Sequence, residues 1–243
     1  MKGILFSLCL FVFLSFVCAD EPAGKQKQTP SPFALAAPGT TLGDDDGGLV
    51  QIIPPHSLST GPLVYHGGAV VSSPFLVAVF LGNFSSAQRN QMIAHLSSLA
   101  GSTELQKLEA SGVHLNRFRV IQEDLPYGLP DGAISDLWLQ SHLDTQVKQP
   151  FSRQLESNAV YVVLLARNLS ARLGKSVSIN DYAAYHNDLH ATQGLIHYAV
   201  VPFFSDANEW FSHTREAVIQ TILNPEGTGW YAETSSGAAD QGR

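Results

Sequence analysis

The sequence predicts an α/β fold, a mixed and mostly parallel sheet flanked by helices in a single domain. Three observations carry this. Residues 75–81 and 159–166 are continuous apolar runs of strand length, the pattern of strands buried on both faces. Stretches with apolar residues at helical spacing separate and follow such runs. The connections are long enough for the crossovers that parallel neighbours require.

Taken along the chain, the run from Phe75 to Leu81 is bounded by Pro74 and Gly82 and reads as a buried strand. Ser85 or Ser86 can cap the following helix, because a serine oxygen accepts from the open N–H groups of a first turn. Met92, Ile93, Leu96 and Leu99 recur at helical spacing, and Gly101 ends the pattern. Residues 114–121 read as a second strand. Pro130-Asp131-Gly132 opens a predicted helix with Ile134, Leu137, Trp138 and Leu143 on one side. Residues 159–166 form the strongest strand pattern, residues 195–203 one more strand, and residues 207–223 a last helix. No internal repeat is visible.

The α/β domain is expected over residues 61–243. Before it, residues 20–60 are dominated by Pro, Gly, Ser and Thr, with too little apolar content for a core, and read as a disordered Pro/Gly/Asp-rich linker. Its run Asp44-Asp45-Asp46 lacks the ligand spacing of a calcium loop. Residues 1–19 read as a secretory signal peptide. Lys2 supplies the positive start, residues 4–17 the apolar stretch, and Val17-Cys18-Ala19 the small residues of a cleavage site. The stretch is too short to cross about 30 Å of hydrocarbon.

Export organises the remaining composition. Both cysteines, Cys9 and Cys18, lie within that leader, so the mature chain would hold no disulfide, no cysteine-ligated zinc and no catalytic thiol. Asn83-Phe84-Ser85 and Asn168-Leu169-Ser170 are N-glycosylation sequons, and Asn83 and Asn168 are the expected acceptors. The formal net charge is −7, one unit more negative without Lys2. That balance argues against nucleic acid and anionic membrane surfaces as partners. No membrane association is expected once the leader is cleaved.

Several short stretches together resemble one family. Tyr65-His66-Gly67-Gly68 precedes the first buried run, and Ser135-Asp136 stands near the start of a helix. Tyr198-Ala199-Val200-Val201-Pro202 forms a late strand, and Asn224-Pro225 is followed by Trp230-Tyr231-Ala232. In this order, over roughly residues 62–243, they resemble the exordium or phosphate-induced protein family of plant extracellular proteins and their bacterial secreted relatives. The resemblance implies a protein of the apoplast or cell wall with a role in growth or cell expansion, acting on an unidentified extracellular or cell-wall ligand. It also implies a His-Glu-x-x-Glu stretch on the helix before Asn-Pro. Counting back from Asn224-Pro225, those positions hold Glu216, Ala217 and Gln220. A metalloprotease helix needs two ligands one turn apart and a carboxylate aimed at metal-bound water. Ala217 offers none, and Gln220 is a poor zinc ligand.

The remaining metal candidates are His186, His190, His213 and Glu216. His186 and His190 stand four apart and on a helix would share a face, but Asn187 occupies the place where a His-Glu-x-x-His site needs Glu. Scattered histidines, exposed or hydrogen-bonded, are the expectation, with no metal and no cofactor. No Gly-x-Ser-x-Gly elbow and no Gly-x-x-x-x-Gly-Lys loop is present. Gly67-Gly68 reads as a bend feeding the first strand, and Trp210, Trp230 and Tyr231 as packing residues. The expected function is therefore non-catalytic binding outside the cell. The competing reading is a secreted metal-dependent hydrolase with a rearranged His/Glu site, and it has to explain Ala217 and Gln220.

Overall fold

The computed structural model describes residues 41–43, 49–53, 63–101, 105–106, 109, 112–114, 120–124, 129, 132–148, 158–191 and 194–232. All belong to the unit Ser31–Arg243. The expected signal peptide, the acidic run and most of the expected linker lie outside the described residues.

The main sheet has seven strands: β1 (Thr41–Gly43), β2 (Leu49–Ile53), β4 (Phe75–Leu81), β5 (Val120–Asp124), β7 (Ala159–Leu165), β10 (Ala184–Ala191) and β11 (Gly194–Val201). Their order is β1-β2-β10-β11-β7-β4-β5. Pairing is parallel from β11 through β7 and β4 to β5, and antiparallel from β11 outward through β10 and β2 to β1. The sheet is thus mixed, with parallel pairing confined to one half. Two small sheets join β3 (Leu63–Tyr65) to β12 (Trp230–Ala232), and β6 (Ala133–Ser135) to β8 (Ser170–Leu173) and β9 (Ser176–Val177).

The sequence runs explain the centre. Every residue of β4 and of β7 is buried, because helices cover both faces of these strands. Helices α1 (Ser86–Ser98) and α3 (Ala207–Leu223) pack on one face, where Leu76, Val162 and Ala199 meet Met92, Leu96, Val218 and Ile222. Helix α2 (Asp136–Lys148) covers the other, where Val77, Val163 and Val200 meet Leu139 and Leu143. Each such Val, Leu, Ile or Met side chain stabilises the fold by roughly 1.5–3 kcal/mol. A charge at Val162, wholly buried between β4 and β11, would break the sheet.

The helix ends follow their caps. Ser85 accepts from Gln88 N–H while the Gln88 side chain accepts from Ser85 N–H, a reciprocal box that starts α1. Asp206 accepts from Asn208 and Glu209 N–H at the start of α3.

Four expectations are corrected. The expected linker over 20–60 contains β1 and β2, because Leu49-Val50-Gln51-Ile52-Ile53 is rich in β-branched residues and pairs with β10, burying Val50, Ile52 and Ile53. The strand expected at 114–121 runs Val120–Asp124, set by parallel pairing of Val120 with Leu76. The helix expected from Gly132 begins at Asp136, because Ala133–Ser135 pairs with β8 first. Its core residues are Leu139 and Leu143, one turn apart, whereas Leu137 is half-exposed. Finally, His186 and His190 lie on strand β10, held between β2 and β11, and not on a helix.

Candidate functional site

The two stretches at the ends of the family resemblance meet in space. β3 and β12 pair antiparallel, Trp230 opposite Tyr65 and Tyr231 opposite Val64. The ladder continues as His66 N–H donates to Gly229 O (2.9 Å) and Gly68 N–H to Thr228 O (2.9 Å). Asn224, the residue that closes α3, accepts from Gly229 N–H through its Oδ1 (2.7 Å), and Pro225 beside it is buried. A Cβ at Gly68 would overlap the Thr228 backbone, and one at Gly229 the Leu223 carbonyl. Gly67 turns at φ +91°, a region open to glycine. On this base stands Tyr65, its hydroxyl donating to Gly68 O (3.0 Å) and its ring centroid 5.3 Å from that of Trp230. Tyr65 is 50 % exposed, with Val64 and His66 exposed beside it and Trp230 half-buried against the core. Trp210 is a core residue, stacked on Phe84.

Helix α3 leads into this ribbon and holds the positions where the resemblance implies metal chemistry. Ala217 is wholly buried. Gln220 is buried too; its side chain is hydrogen-bonded to His186 of β10, and its Nε2 lies 3.5 Å from Glu216 Oε1. His186 is 1 % exposed, and its Nδ1 finds no hydrogen-bond partner. Burial drives its pKa down to about 3; the Gln220 contact opposes this and His197 adds to it. His197, on the same side of β11, is likewise buried with Nδ1 unpaired. Burial lowers its pKa as well, against the attraction of Asp188 and Glu226. Both imidazoles are therefore neutral at neutral pH.

Of the other metal candidates, Glu216 approaches His186 through Gln220. His190 shares a strand face with His186 about 13 Å away. It is exposed, with Nε2 3.8 Å from Asp188 Oδ2. His213 packs against Phe204 with its Nε2 3.8 Å from Glu209 Oε1, and Glu216 stands half-buried on the same helix. Among the described residues, no three or more His, Cys, Asp and Glu side chains are grouped so as to hold a metal ion.

A second polar cluster lies on the opposite face, and its members Asp136, Asn187 and Tyr198 figured in the sequence separately, never as one group. Asp136, wholly buried at the start of α2, accepts from Tyr185 OH (2.6 Å), Tyr198 OH (2.8 Å to Oδ2) and Gln140 Nε2 (2.7 Å). Asn187 adds a further bond. Burial pushes the carboxyl pKa up, and these donors pull against it. Both tyrosines are held well above their ordinary pKa, first by burial and then by the carboxylate. The cluster pins α2 to β10 and β11. The alternation of Tyr185 with His186 and of His197 with Tyr198 was the available signal, since it sends tyrosines to one face and histidines to the other.

Asn83, in the loop after β4, and Asn168, in the turn after β7, are both exposed. No helix among the described residues is long and apolar enough to cross a membrane. No family model, no curated protein and no solved structure matches the chain.

Proposed function

We propose that the chain is a secreted glycoprotein of the exordium-like group that acts without catalysis, by binding a ligand in the apoplast or cell wall. The link to growth or cell expansion rests on the family resemblance alone. The observation that carries the reading is the ribbon. Stretches 65–68 and 224–231, which drew attention as separate signatures, are built into one hydrogen-bonded unit with an open tyrosine on it. A half-exposed aromatic ring held at both its hydroxyl and its inner face is suited to stacking on a ligand without losing side-chain freedom. The hydrolase alternative has less support. Ala217 has no functional group, and Gln220 is engaged with His186 under the helix. The candidate ligands are spread over a strand and a helix.

The test has two arms. Secreted protein should begin after Ala19, show no turnover of peptide or ester panels with added zinc, and retain no zinc after dialysis. Chelator-sensitive turnover lost in Glu216→Ala would establish the hydrolase instead. In the second arm, isolated cell-wall fractions should retain the protein, and Tyr65→Ala should weaken retention about tenfold, the cost of one good stacking contact.

A further inference from the structure

The two sequons fall in the two loops that flank the point where the sheet reverses its winding. From β4 the chain crosses through α1 to β5 on one side, and after β7 it continues to β11 on the other. The reversal therefore lies between the adjacent parallel strands β4 and β7. In open α/β sheets, ligands bind outside the carboxyl ends of the strands at such a reversal. Here that place is bounded by residues 82–85 and 166–169.

The two loops are drawn tightly together. Ala166 N–H donates to Leu81 O (2.9 Å), and a Cβ at Gly82 would stand 2.7 Å from Ala166 Cβ and 3.0 Å from Leu169 Cδ1. Inward-facing neighbours turn both asparagines outward. Phe84 folds onto Phe80 (5.1 Å) and Trp210 (6.0 Å), leaving Asn83 exposed beside it. Leu169 is buried, with its N–H on Ala166 O (2.9 Å), leaving Asn168 exposed before it. Two acceptor sites 85 positions apart in sequence thus stand on neighbouring loops of one sheet edge.

We propose that this carboxyl edge is a double N-glycosylation site, and that its two glycans cover the sheet edge at the reversal, the place where folds of this class hold small ligands. Recognition is thereby left to the β3–β12 ribbon, which joins the far end of α3. In each transfer the Asn Nδ2 bonds to the anomeric carbon of a lipid-pyrophosphate-linked oligosaccharide. The carbon–oxygen bond to pyrophosphate breaks, the lipid pyrophosphate leaves, and the amide nitrogen gives up one proton. The proposal rests on the secretory reading above, and its test separates the two.

The full chain is expressed in a eukaryotic secretory host, then sequenced from its N-terminus and weighed intact before and after peptide-N-glycosidase treatment. Both asparagines should be occupied, with Asn83→Gln and Asn168→Gln each removing one glycan. Enzymatic deglycosylation of the folded protein should speed amide exchange at residues 82–85 and 166–169 at least about twofold and leave 64–68 unchanged. A chain that is exported and trimmed at Ala19 but unmodified at either asparagine overturns this proposal alone. Occupied sites with unchanged exchange overturn the covering role. A chain that never enters the secretory pathway overturns the secretory reading, and this proposal with it.

Discussion

The two faces of the sheet each bury a polar cluster and treat it in opposite ways. Under α2, Asp136 is completely enclosed, yet two tyrosine hydroxyls and an amide donate to it. Under α3, His186 and His197 are enclosed almost as fully, and each keeps one ring nitrogen without a partner. An unsatisfied buried polar atom costs about 1–3 kcal/mol, whereas a satisfied one contributes modestly to stability. Burial alone therefore does not mark a functional residue. The satisfied cluster behaves as a structural pin. The unsatisfied pair is held differently: His186 keeps one side-chain hydrogen bond, to Gln220 of α3, and its Nδ1 is enclosed without a partner.

The largest effect should come from breaking the pin. Asp136→Ala leaves the Tyr185 and Tyr198 hydroxyls unpaired in the core, and a loss of about 3–5 kcal/mol is expected. Urea titration would show it as a lower midpoint at constant slope. Tyr198→Phe leaves Tyr185 and Gln140 on the carboxylate and should cost about 1–3 kcal/mol. A loss in Asp136→Ala no greater than that of Tyr198→Phe would mean that the cluster is not a pin, and the contrast between the faces would fail.

Acid should act with opposite sign on the two faces. The folded pKa of His186 is depressed, to about 3, so the unfolded chain binds the proton more readily below about 6.5. The stability this residue contributes is present above pH 6.5 and is lost as pH falls toward 3. At pH 5 its loss should be about 2 kcal/mol relative to pH 7. Asp136 has a raised folded pKa, so its contribution is present at low pH and is lost as pH rises through that value. Urea midpoints at pH 5 and pH 7 for the wild type and His186→Gln isolate the histidine, whose removal should flatten the profile. An unchanged profile in His186→Gln would show that the imidazole is already protonated or hydrated in the folded protein.

How much of this was legible beforehand follows from locality. Strands β4 and β7 and helices α1 and α3 declare themselves, because their apolar runs, periodicities and caps lie within a few residues of one another. Strand β10 does not. Its His186-Asn187-Asp188 stretch faces polar partners on both sides, so no apolar alternation shows. β2 is hidden by the low-complexity segment around it. Asp136 could be noticed but not interpreted, because its tyrosines are 49 and 62 residues away. The ribbon was half legible. Its two strands were singled out as signatures, but nothing local says that Trp230 faces Tyr65.

The smallest expected effect is the sharpest check on the histidine face. His186 and His190 share a spacing that suggests a joint site, and the strand separates them by about 13 Å. His190 lies near the end of β10, 89 % exposed in its side chain, with a 3.8 Å approach to Asp188. Such an exposed pair contributes little, because solvent screens it and two side chains must be ordered to make it. His190→Ala should therefore change stability by no more than about 0.5 kcal/mol at pH 7. His186→Ala empties a packed position and removes one of the partners of buried Gln220, so it should cost about 1–3 kcal/mol. Were the two histidines joined through an ion, the variants would instead lose stability together, and added zinc would raise the wild-type melting temperature but neither variant's. Equal losses in the two variants with no effect of zinc would place His190 in the core beside His186.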